Sequence, residues 1–398
     1  MDCYICSNRH QSDFGGALIW SIMGKALIGE YGWSSTEASL PYTACTVCFA
    51  LVMVFAGKLQ DTKGPRLIST FGGILLGGGL ILSGFARDPF VMMLTFGILG
   101  GAGIGFCYAS TTPPAVKWFP MEKKGLISGI VVSGVGFAAV YISPLTNSLL
   151  QHNGISKTFL YLGLGAIILL IAFSQLLIDP PAGYTPKAAS PAKSQKDSKP
   201  ENRPEYGWKE MIKTPNFYKL WIMYAFTASA GLMIIGHIAN IAKQQAQWEN
   251  GYLLVVILAV FNTLGRIAGG LVSDKIGHLN TMRIIFLLQA VNMAFFSQYV
   301  SYGTLALGVS IAGLCYGALF SVFPVATAES YGIRNLGVNY GLVFTAWSFG
   351  GVIGPMLAAR ILDSTGSYSA SYIVSAALLI VASLLTFVAS KKKSPANV

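Results

Sequence analysis

The segment that decides the fold is residues 252–272, YLLVVILAVFNTLGRIAGGLV. It is long and apolar enough to cross a bilayer as a helix, since about 20 residues span the hydrocarbon core. Asn262 and Arg266 interrupt the apolar run. A charged residue near the middle of a membrane helix costs roughly 2.5–3.5 kcal/mol on insertion scales, so it usually faces a polar interior and marks a ligand or ion pathway. The segment therefore predicts a membrane helix that carries a functional charge.

Two interpretations of Arg266 are open. In the first, the side chain extends to the nearer membrane interface, because Arg266 lies about 9 Å before the end of the segment at Val272. Helical side chains lean toward the helix N-terminus, which here points back into the membrane, and this favours the second interpretation, a ligand site. A guanidinium offers paired N–H donors that match a carboxylate. We therefore expect Arg266 to bind an anionic, carboxylate-bearing ligand.

The whole chain has the composition of a helical membrane protein. Of its 398 residues, 53% are hydrophobic and only 11% are charged, against about 25% charged residues in soluble domains. Apolar stretches long enough to span recur in two sets of six, at 14–31, 37–57, 67–86, 90–116, 125–151, 156–178, 217–241, 252–272, 281–300, 303–328, 338–360 and 369–390. We predict an all-α membrane protein of twelve transmembrane helices in two pseudo-symmetric six-helix bundles.

The distribution of basic residues predicts the topology. A net charge of +11 suggests nucleic-acid binding in a soluble chain. With both termini in the cytoplasm, however, most of the 27 Lys and Arg residues fall in cytoplasmic segments, as the positive-inside rule requires. We expect a multi-pass protein of the cell membrane, in contact with membrane lipid, with cytoplasmic termini and without a nucleic-acid partner.

A short loop motif occurs twice, as GKLQDTKG at 57–64 and as GLVSDKIG at 270–277. The sequence GFCY at 105–108 likewise corresponds to GLCY at 313–316. Ser143-Pro144 corresponds in the same way to Gly354-Pro355. Three matches at nearly the same spacing indicate an internal duplication.

The domain boundaries follow from this repeat and from composition. Residues 179–206 are rich in Pro, Ser, Ala and Lys, which is typical of an unfolded linker. A short interfacial helix is predicted just after them. We place an N-terminal bundle at 1–178, a cytoplasmic linker at 179–213 and a C-terminal bundle at 214–398.

Asp61 and Asp274 are the acidic residues of the two loop motifs. In doubled membrane folds the ligand binds near the membrane midplane, and the repeats move around it. A carboxylate just beyond a helix end can pair with a loop arginine or with the N-terminus of another helix. We predict that both aspartates gate the cytoplasmic side, with plain solvated loop residues as the alternative.

Further candidates for the ligand site lie on the predicted tenth and eleventh helices. Tyr316 is equivalent to Tyr108 in the duplication, and a tyrosine hydroxyl can donate to a carboxylate. Phe320 lies one helical turn after Tyr316, while Phe344 and Trp347 share a face of the next segment. Aromatic packing within the bundle is the alternative for all five residues.

Three other positions complete the predicted site. Asn262, one turn before Arg266, is expected to orient the guanidinium or to bind a ligand hydroxyl, rather than only to bond another helix. Leu18 of the short first helix is a candidate for the cavity wall, with packing as the alternative. His237 is the only histidine inside a predicted span, so it is a candidate proton carrier. Its place near the outer end favours a wetted vestibule residue instead.

We find no sequence feature that indicates an enzyme. The sixteen Asp and Glu residues all fall in tails, loops or helix ends, so no carboxylate lies deep in a span. We find no nucleotide-binding loop, no zinc-ligand cluster and no nucleophile paired with a base. We expect a protein that is not an enzyme and that uses no metal and no cofactor besides a coupling proton.

Taken together, the two halves, the G-x-x-x-D-x-x-G loops and the glycine-rich fifth segment ending at Pro144 resemble the major facilitator superfamily. Within it, GIGFCYASTTPPAVKWFP at 103–120, GWS at 32–34 and the arginine of the eighth segment resemble the monocarboxylate transporter and oxalate:formate antiporter group, in particular bacterial-type monocarboxylate transporters. This resemblance implies a carrier of small carboxylates with Arg266 as the anion anchor. It also implies that Tyr108 and Tyr316 help to enclose the substrate.

Two departures from that group narrow the substrate. Oxalate antiporters carry a lysine in the eleventh helix, where this chain reads LVFTAWSFGG at 342–351. One deep positive charge suits one carboxylate. Animal monocarboxylate transporters place an aspartate where Asn262 stands, so two routes for the proton stay open: the carboxyl group of the substrate and His237.

The sequence thus predicts a secondary active transporter that carries a small monocarboxylate, such as lactate or pyruvate, together with a proton by alternating access. Exchange of two carboxylates, as in oxalate:formate antiport, is the alternative. A non-transporting sensor is disfavoured because the tails and the linker are too short and too low in complexity to hold an output domain.

Overall fold

The computed structural model describes residues 16–181, 184, 205–248 and 251–389. Most of the predicted linker and both tails lie outside these residues. The side chains of residues 16–19, including Leu18, also lie outside the description. Over the described residues the secondary structure is entirely helical, without a strand, which confirms the predicted all-α class.

Twelve helices are labelled here in chain order. They are α1 (Gly16–Tyr31), α2 (Ser35–Lys63), α3 (Pro65–Ser83), α4 (Pro89–Lys117), α5 (Lys124–Ser174), α6 (Trp208–Met211), α7 (Pro215–Ala246), α8 (Tyr252–Ile276), α9 (His278–Phe295), α10 (Tyr302–Tyr331), α11 (Leu336–Thr365) and α12 (Ser369–Ala389). Within α4, residues Met93–Gly100 form a π-helix, and a turn at 110–111 separates its last helical segment.

Ten of the described helices are long and apolar enough to cross a membrane, against twelve predicted segments. Two features of the chain explain the difference. Helix α1 has only 16 described residues. The fifth and sixth predicted segments are the two arms of α5, which follow one another without a loop and are separated by a break in the helical backbone at Gly154 (φ 73°, ψ 176°). Each predicted segment is nevertheless helical over most of its described length.

The two loop motifs end their helices in the same way. Gly64 ends α2 with φ 84°, and Gly277 ends α8 with φ 82°. Glycine adopts this left-handed region without the steric penalty of a side chain. The next helix begins at once after each glycine, with Pro65 at the first position of α3. The motif therefore makes a tight turn that holds its aspartate in the last turn of the preceding helix.

The chain divides into two compact units. Unit 1 comprises Met1–Pro120, Ile130–Glu205 and Tyr331–Leu342, and unit 2 comprises Met121–Gly129, Tyr206–Ser330 and Val343–Val398. Each unit thus contains one short segment from the other half of the sequence. The short segment in unit 1 includes the start of α11, and that in unit 2 includes the start of α5.

Each unit has its own apolar core. In unit 1 the ring of Trp20 stacks on Phe96 with centroids 4.4 Å apart, and its indole N–H donates to the carbonyl oxygen of Ala38 over 2.8 Å. In unit 2 the ring of Phe296 packs against Tyr372 with centroids 5.0 Å apart. These cores fix the helices that carry the residues discussed below.

Candidate functional site

Arg266 lies in the middle of α8 and is only 5% exposed. Its Nε atom donates a hydrogen bond of 3.2 Å to Oδ1 of Asn262, one turn earlier. Its guanidinium carbon lies 4.5 Å from the centroid of the Phe320 ring, which places the cation over the electron-rich face of the ring. The predicted interaction of Asn262 with the guanidinium is therefore present in the structure.

Close packing of α10 on α8 brings Phe320 to this position. A Cβ atom on Gly317 would lie 2.0 Å from the carbonyl oxygen of Asn262, so only glycine allows the two backbones to come this close. Because Phe320 follows Gly317 by three residues, it lies on nearly the same face of α10. The small residue sets the distance between ring and guanidinium.

Aromatic side chains of α10 and α11 form one cluster beside Arg266. Phe320 packs edge-to-face on Tyr316 with centroids 5.3 Å apart. Phe344 stacks on Trp347 at 5.2 Å, and each of these rings lies 6.3 Å from Phe320. The indole N–H of Trp347 donates to the Tyr316 hydroxyl oxygen over 2.8 Å.

This arrangement combines one permanent positive charge with neutral polar groups and an apolar wall. A guanidinium in surroundings of low dielectric attracts an anion far more strongly than it does in water. The rings beside it exclude water and contact apolar atoms. The cluster can therefore hold a small anion with one charged end and one apolar end.

The structure gathers five of the predicted companions of Arg266 within unit 2, namely Asn262, Tyr316, Phe320, Phe344 and Trp347. Tyr108 belongs to unit 1, where it is buried and packs edge-to-face on Phe49 with centroids 5.5 Å apart.

Asp61 binds the N-terminus of α11 within unit 1. Its carboxylate accepts hydrogen bonds from the backbone N–H groups of Gly337 (3.2 Å) and Val338 (3.0 Å). The first N–H groups of a helix have no partner inside the helix and carry the positive end of its dipole. The side chain of Lys117 adds an ion pair, with Nζ 3.4 Å from Asp61 Oδ1.

Asp274 makes the equivalent contact within unit 2. Its two oxygens accept from the N–H groups of Gly125 (2.7 Å) and Leu126 (2.8 Å), in the first turn of α5. The sequence left pairing with a helix N-terminus and pairing with a loop arginine as two possibilities. In the structure both aspartates bind the N-terminus of a helix.

Three polar residues extend the Asp61 contact and were not singled out from the sequence. Asp179 lies 3.5 Å from Lys117 Nζ through Oδ1, and its Oδ2 accepts from Gln60 Nε2 over 3.3 Å. Burial raises the pKa of the Asp179 carboxyl, while the positive charge of Lys117 opposes that rise. Lys117 and Asp179 each follow an apolar segment, and only the fold brings them together.

Two further contacts lie at loop ends. Glu205 accepts from the backbone N–H groups of Ile333 (3.3 Å) and Arg334 (2.9 Å), just before α11. In unit 2 the Nδ1 atom of His278 lies 2.7 Å from Oε2 of Glu329. No sequence motif marked these positions.

His237 uses both ring nitrogens in unit 2. Its Nε2 lies 3.1 Å from the carbonyl oxygen of Pro355, and its Nδ1 lies 3.1 Å from the hydroxyl oxygen of Tyr368. A carbonyl can only accept, so Nε2 carries a proton and Nδ1 accepts from the Tyr368 hydroxyl when the ring is neutral. Burial raises the pKa of the Tyr368 hydroxyl, which agrees with its role as the donor.

No group of three or more His, Cys, Asp or Glu side chains is arranged to hold a metal ion in the described part of the chain.

Comparison with known proteins shows to which family this chain belongs. A model of the Major Facilitator Superfamily matches residues 11–297 and 233–398. The oxalate:formate antiporter of Oxalobacter formigenes is 28% identical over 381 residues, which cover 94% of this chain and 88% of that protein. Monocarboxylate transporter 12-B of Danio rerio is 26% identical, with 90% of this chain and 79% of that protein covered.

Solved structures agree on the fold. A crystal structure of the Escherichia coli fucose:proton symporter FucP superposes with a TM-score of 0.71, over 98% of this chain and 100% of that one. At 11% identity this likeness concerns the fold alone. The sequence relatives support the monocarboxylate and oxalate group, and the chain is a multi-pass membrane transporter that belongs to the Major Facilitator Superfamily.

Proposed function

We propose that this chain is a proton-coupled symporter of a small monocarboxylate, such as lactate or pyruvate. The observation that carries the proposal is the setting of Arg266, which is buried in the middle of the membrane-spanning helix α8, hydrogen-bonded to Asn262 and in contact with the Phe320 ring. A charge near the middle of a membrane helix is costly to insert and usually marks a ligand or ion pathway. Binding of an anion that enters from water and leaves again would account for such a charge.

The substrate carboxylate pairs with the fork of N–H groups on Arg266. Asn262 holds the guanidinium through Nε, and the Tyr316 hydroxyl supplies a further polar contact. Phe320, Phe344 and Trp347 form the wall against the apolar end of the substrate. Tyr108 and Leu18 stay predicted substrate-binding residues of the N-terminal half.

One deep arginine favours one carboxylate over two. Binding of a monoanion neutralises Arg266, and a proton that travels with the anion makes the transport step electrically neutral. The proton either joins the carboxylate of the bound substrate during the crossing, which replaces the ion pair with Arg266 by a hydrogen bond, or uses His237. The two hydrogen bonds of His237 favour the first route.

Exchange of two carboxylates is the second candidate function. Its support is the 28% identity to an oxalate:formate antiporter over nearly the whole chain. The segment of α11 at 342–351 has aromatic residues and no lysine, which argues against oxalate as the substrate.

The proposed location is the cell membrane, with both termini in the cytoplasm. The excess of Lys and Arg in the loops on that side supports this orientation. In it, Asp61 and Asp274 lie on the cytoplasmic side, and their bonds to α11 and α5 act as the gating contacts.

Uptake of labelled L-lactate into proteoliposomes tests the function. For the symporter we expect an inward proton gradient to drive uptake, and Arg266→Ala to abolish it, while Arg360→Ala, at an exposed arginine of α11, leaves it unchanged. Arg266→Lys keeps the charge without the fork, and we expect its apparent affinity to fall about tenfold.

Unchanged affinity in Arg266→Lys would contradict the carboxylate site. Uptake that ignores the gradient but requires preloaded carboxylate would favour exchange. Binding without any flux would instead indicate a sensor.

A further inference from the structure

Unit 1 contains an apolar cavity of about 320 Å³, and none of the proposed substrate-binding residues is among the residues that line it. It lies where α3, α4 and both arms of α5 meet. Aliphatic and aromatic side chains form nearly all of its wall, including Leu76, Leu80, Phe96, Ile142, Leu145 and Leu162. Among the described residues that line it, none is charged.

The cavity opens on the surface of unit 1. Leu145 and Tyr161, which line it, are 49% and 46% exposed. Along the second arm of α5, which follows Gly154 and carries Tyr161, the exposed apolar surface continues through Leu164 and through Ile168, which is 66% exposed. All four residues lie in the membrane-spanning stretch Tyr141–Ser174. The mouth is therefore continuous with a surface that the fold exposes to lipid.

Water is a poor occupant for such a space. A water molecule in a cavity needs two to four polar partners, and apolar cavities stay dry. An engineered apolar cavity of about 150 Å³ in another protein is large enough to bind benzene. Left empty, the wall atoms lose the dispersion contacts that a close-packed interior provides. Hydrocarbon from the bilayer fits both the chemistry and the volume.

We propose that this cavity is a binding site for an acyl chain of a membrane phospholipid. The chain enters between Tyr141 and Tyr161 and packs on Leu76 and Leu80. Its attraction comes from dispersion and shape, since lipid tails are as apolar as the wall. A bound chain would brace α3 against the two arms of α5.

Gly165 gives a direct way to fill the site. It lines the cavity, and a Cβ atom built on it meets no other atom within 4 Å. Gly165→Leu therefore occupies the space without a backbone clash. Gly78 on α3 is a matched control, because its Cβ would also meet nothing within 4 Å and it does not line the cavity.

The test uses the purified full-length chain in proteoliposomes that contain phosphatidylglycerol with a diazirine in one acyl chain. After illumination, mass spectrometry maps the labelled residues. In the unmodified protein we expect labelling to concentrate on cavity residues of α3 and α5, well above that of lipid-exposed Leu384 and Phe387 on α12. In Gly165→Leu we expect cavity labelling to fall about tenfold, and in Gly78→Leu to stay unchanged.

Two results would overturn the proposal. One is cavity labelling in the unmodified protein that does not exceed labelling at Leu384 and Phe387, which would mean only general lipid contact. The other is unchanged cavity labelling in a Gly165→Leu protein that melts at the temperature of the unmodified one. The first comparison needs no variant, so a folding defect in Gly165→Leu leaves the proposal testable.

Discussion

The indole N–H of Trp347 on α11 donates a hydrogen bond of 2.8 Å to the hydroxyl oxygen of Tyr316 on α10. This bond joins two helices beside Arg266. A hydroxyl that accepts from an indole still has its own proton to donate. Trp347 therefore orients the Tyr316 hydroxyl as well as adding apolar surface.

Trp347→Phe tests this orienting role. The variant keeps an aromatic ring but loses the donor, and a hydrogen bond of this kind contributes about 1 kcal/mol. We expect the KM for the carboxylate to rise about fivefold with little change in maximal rate, measured by uptake into proteoliposomes. Trp118→Phe is the control, since its indole donates to the carbonyl of Ile178 in unit 1. Equal KM values in the two variants would contradict the role.

Asp61→Asn and Asp274→Asn test the carboxylate contacts with helix N-termini. Each carboxylate accepts two backbone N–H hydrogen bonds through its two oxygens, whereas asparagine has only one accepting oxygen. Asparagine also lacks the negative charge that interacts with the positive end of the helix dipole. By hydrogen-exchange mass spectrometry we expect the amides of Gly337 and Val338 to exchange about tenfold faster in the first variant. Those of Gly125 and Leu126 should do so in the second.

Asp88→Asn is the control for both, because Asp88 caps the N–H groups of Phe90 and Val91 at the start of α4. Unchanged exchange at all four amides in the Asp61 and Asp274 variants would show that these carboxylates do not hold the helix ends in solution.

Glu205→Gln tests the contact that a residue of the predicted linker makes with the chain before α11. Loss of the negative charge weakens the bonds to the N–H groups of Ile333 and Arg334, so we expect these amides to exchange about threefold faster. Glu210→Gln is a matched control, since Glu210 accepts from Gly207 at the start of α6. Faster exchange at residues 333 and 334 in both variants would point to general loosening instead.

His237→Gln separates a structural histidine from a proton carrier. Glutamine can still donate to the Pro355 carbonyl but loses the bond with Tyr368, so we expect the melting temperature to fall by about 2–4 °C. Stimulation of uptake by the proton gradient should persist. If the stimulation vanished while counterflow continued at the normal rate, the proton would be assigned to His237.

Much of the molecule can be read from local sequence because local forces decide it. Apolar runs of bilayer length must form helices, since backbone groups in hydrocarbon need partners within their own segment. The repeated G-x-x-x-D-x-x-G pattern indicated an internal duplication, and Gly64 and Gly277 make the same turn after α2 and α8. The i to i+4 spacing of Asn262 and Arg266 predicted their contact, because residues four apart lie on one face of a helix.

The break between the fifth and sixth segments was predictable in its place but not in its form. The sequence placed it between residues 151 and 156. The structure has it at Gly154, where one glycine with positive φ interrupts the helical backbone between the two arms of α5. A single residue in the left-handed region leaves too little local signal to distinguish such a break from a loop.

By itself, then, the sequence determined an all-helical, duplicated membrane protein with a buried arginine and two acidic loop motifs. Only the tertiary structure decided which groups these residues meet: the Phe320 ring for Arg266, the N–H groups of α11 for Asp61 and the Tyr316 hydroxyl for Trp347. The physical reason is separation along the chain. Asp61 and Gly337 are 276 residues apart, and their contact depends on how whole helices pack, which hydropathy and periodicity do not record.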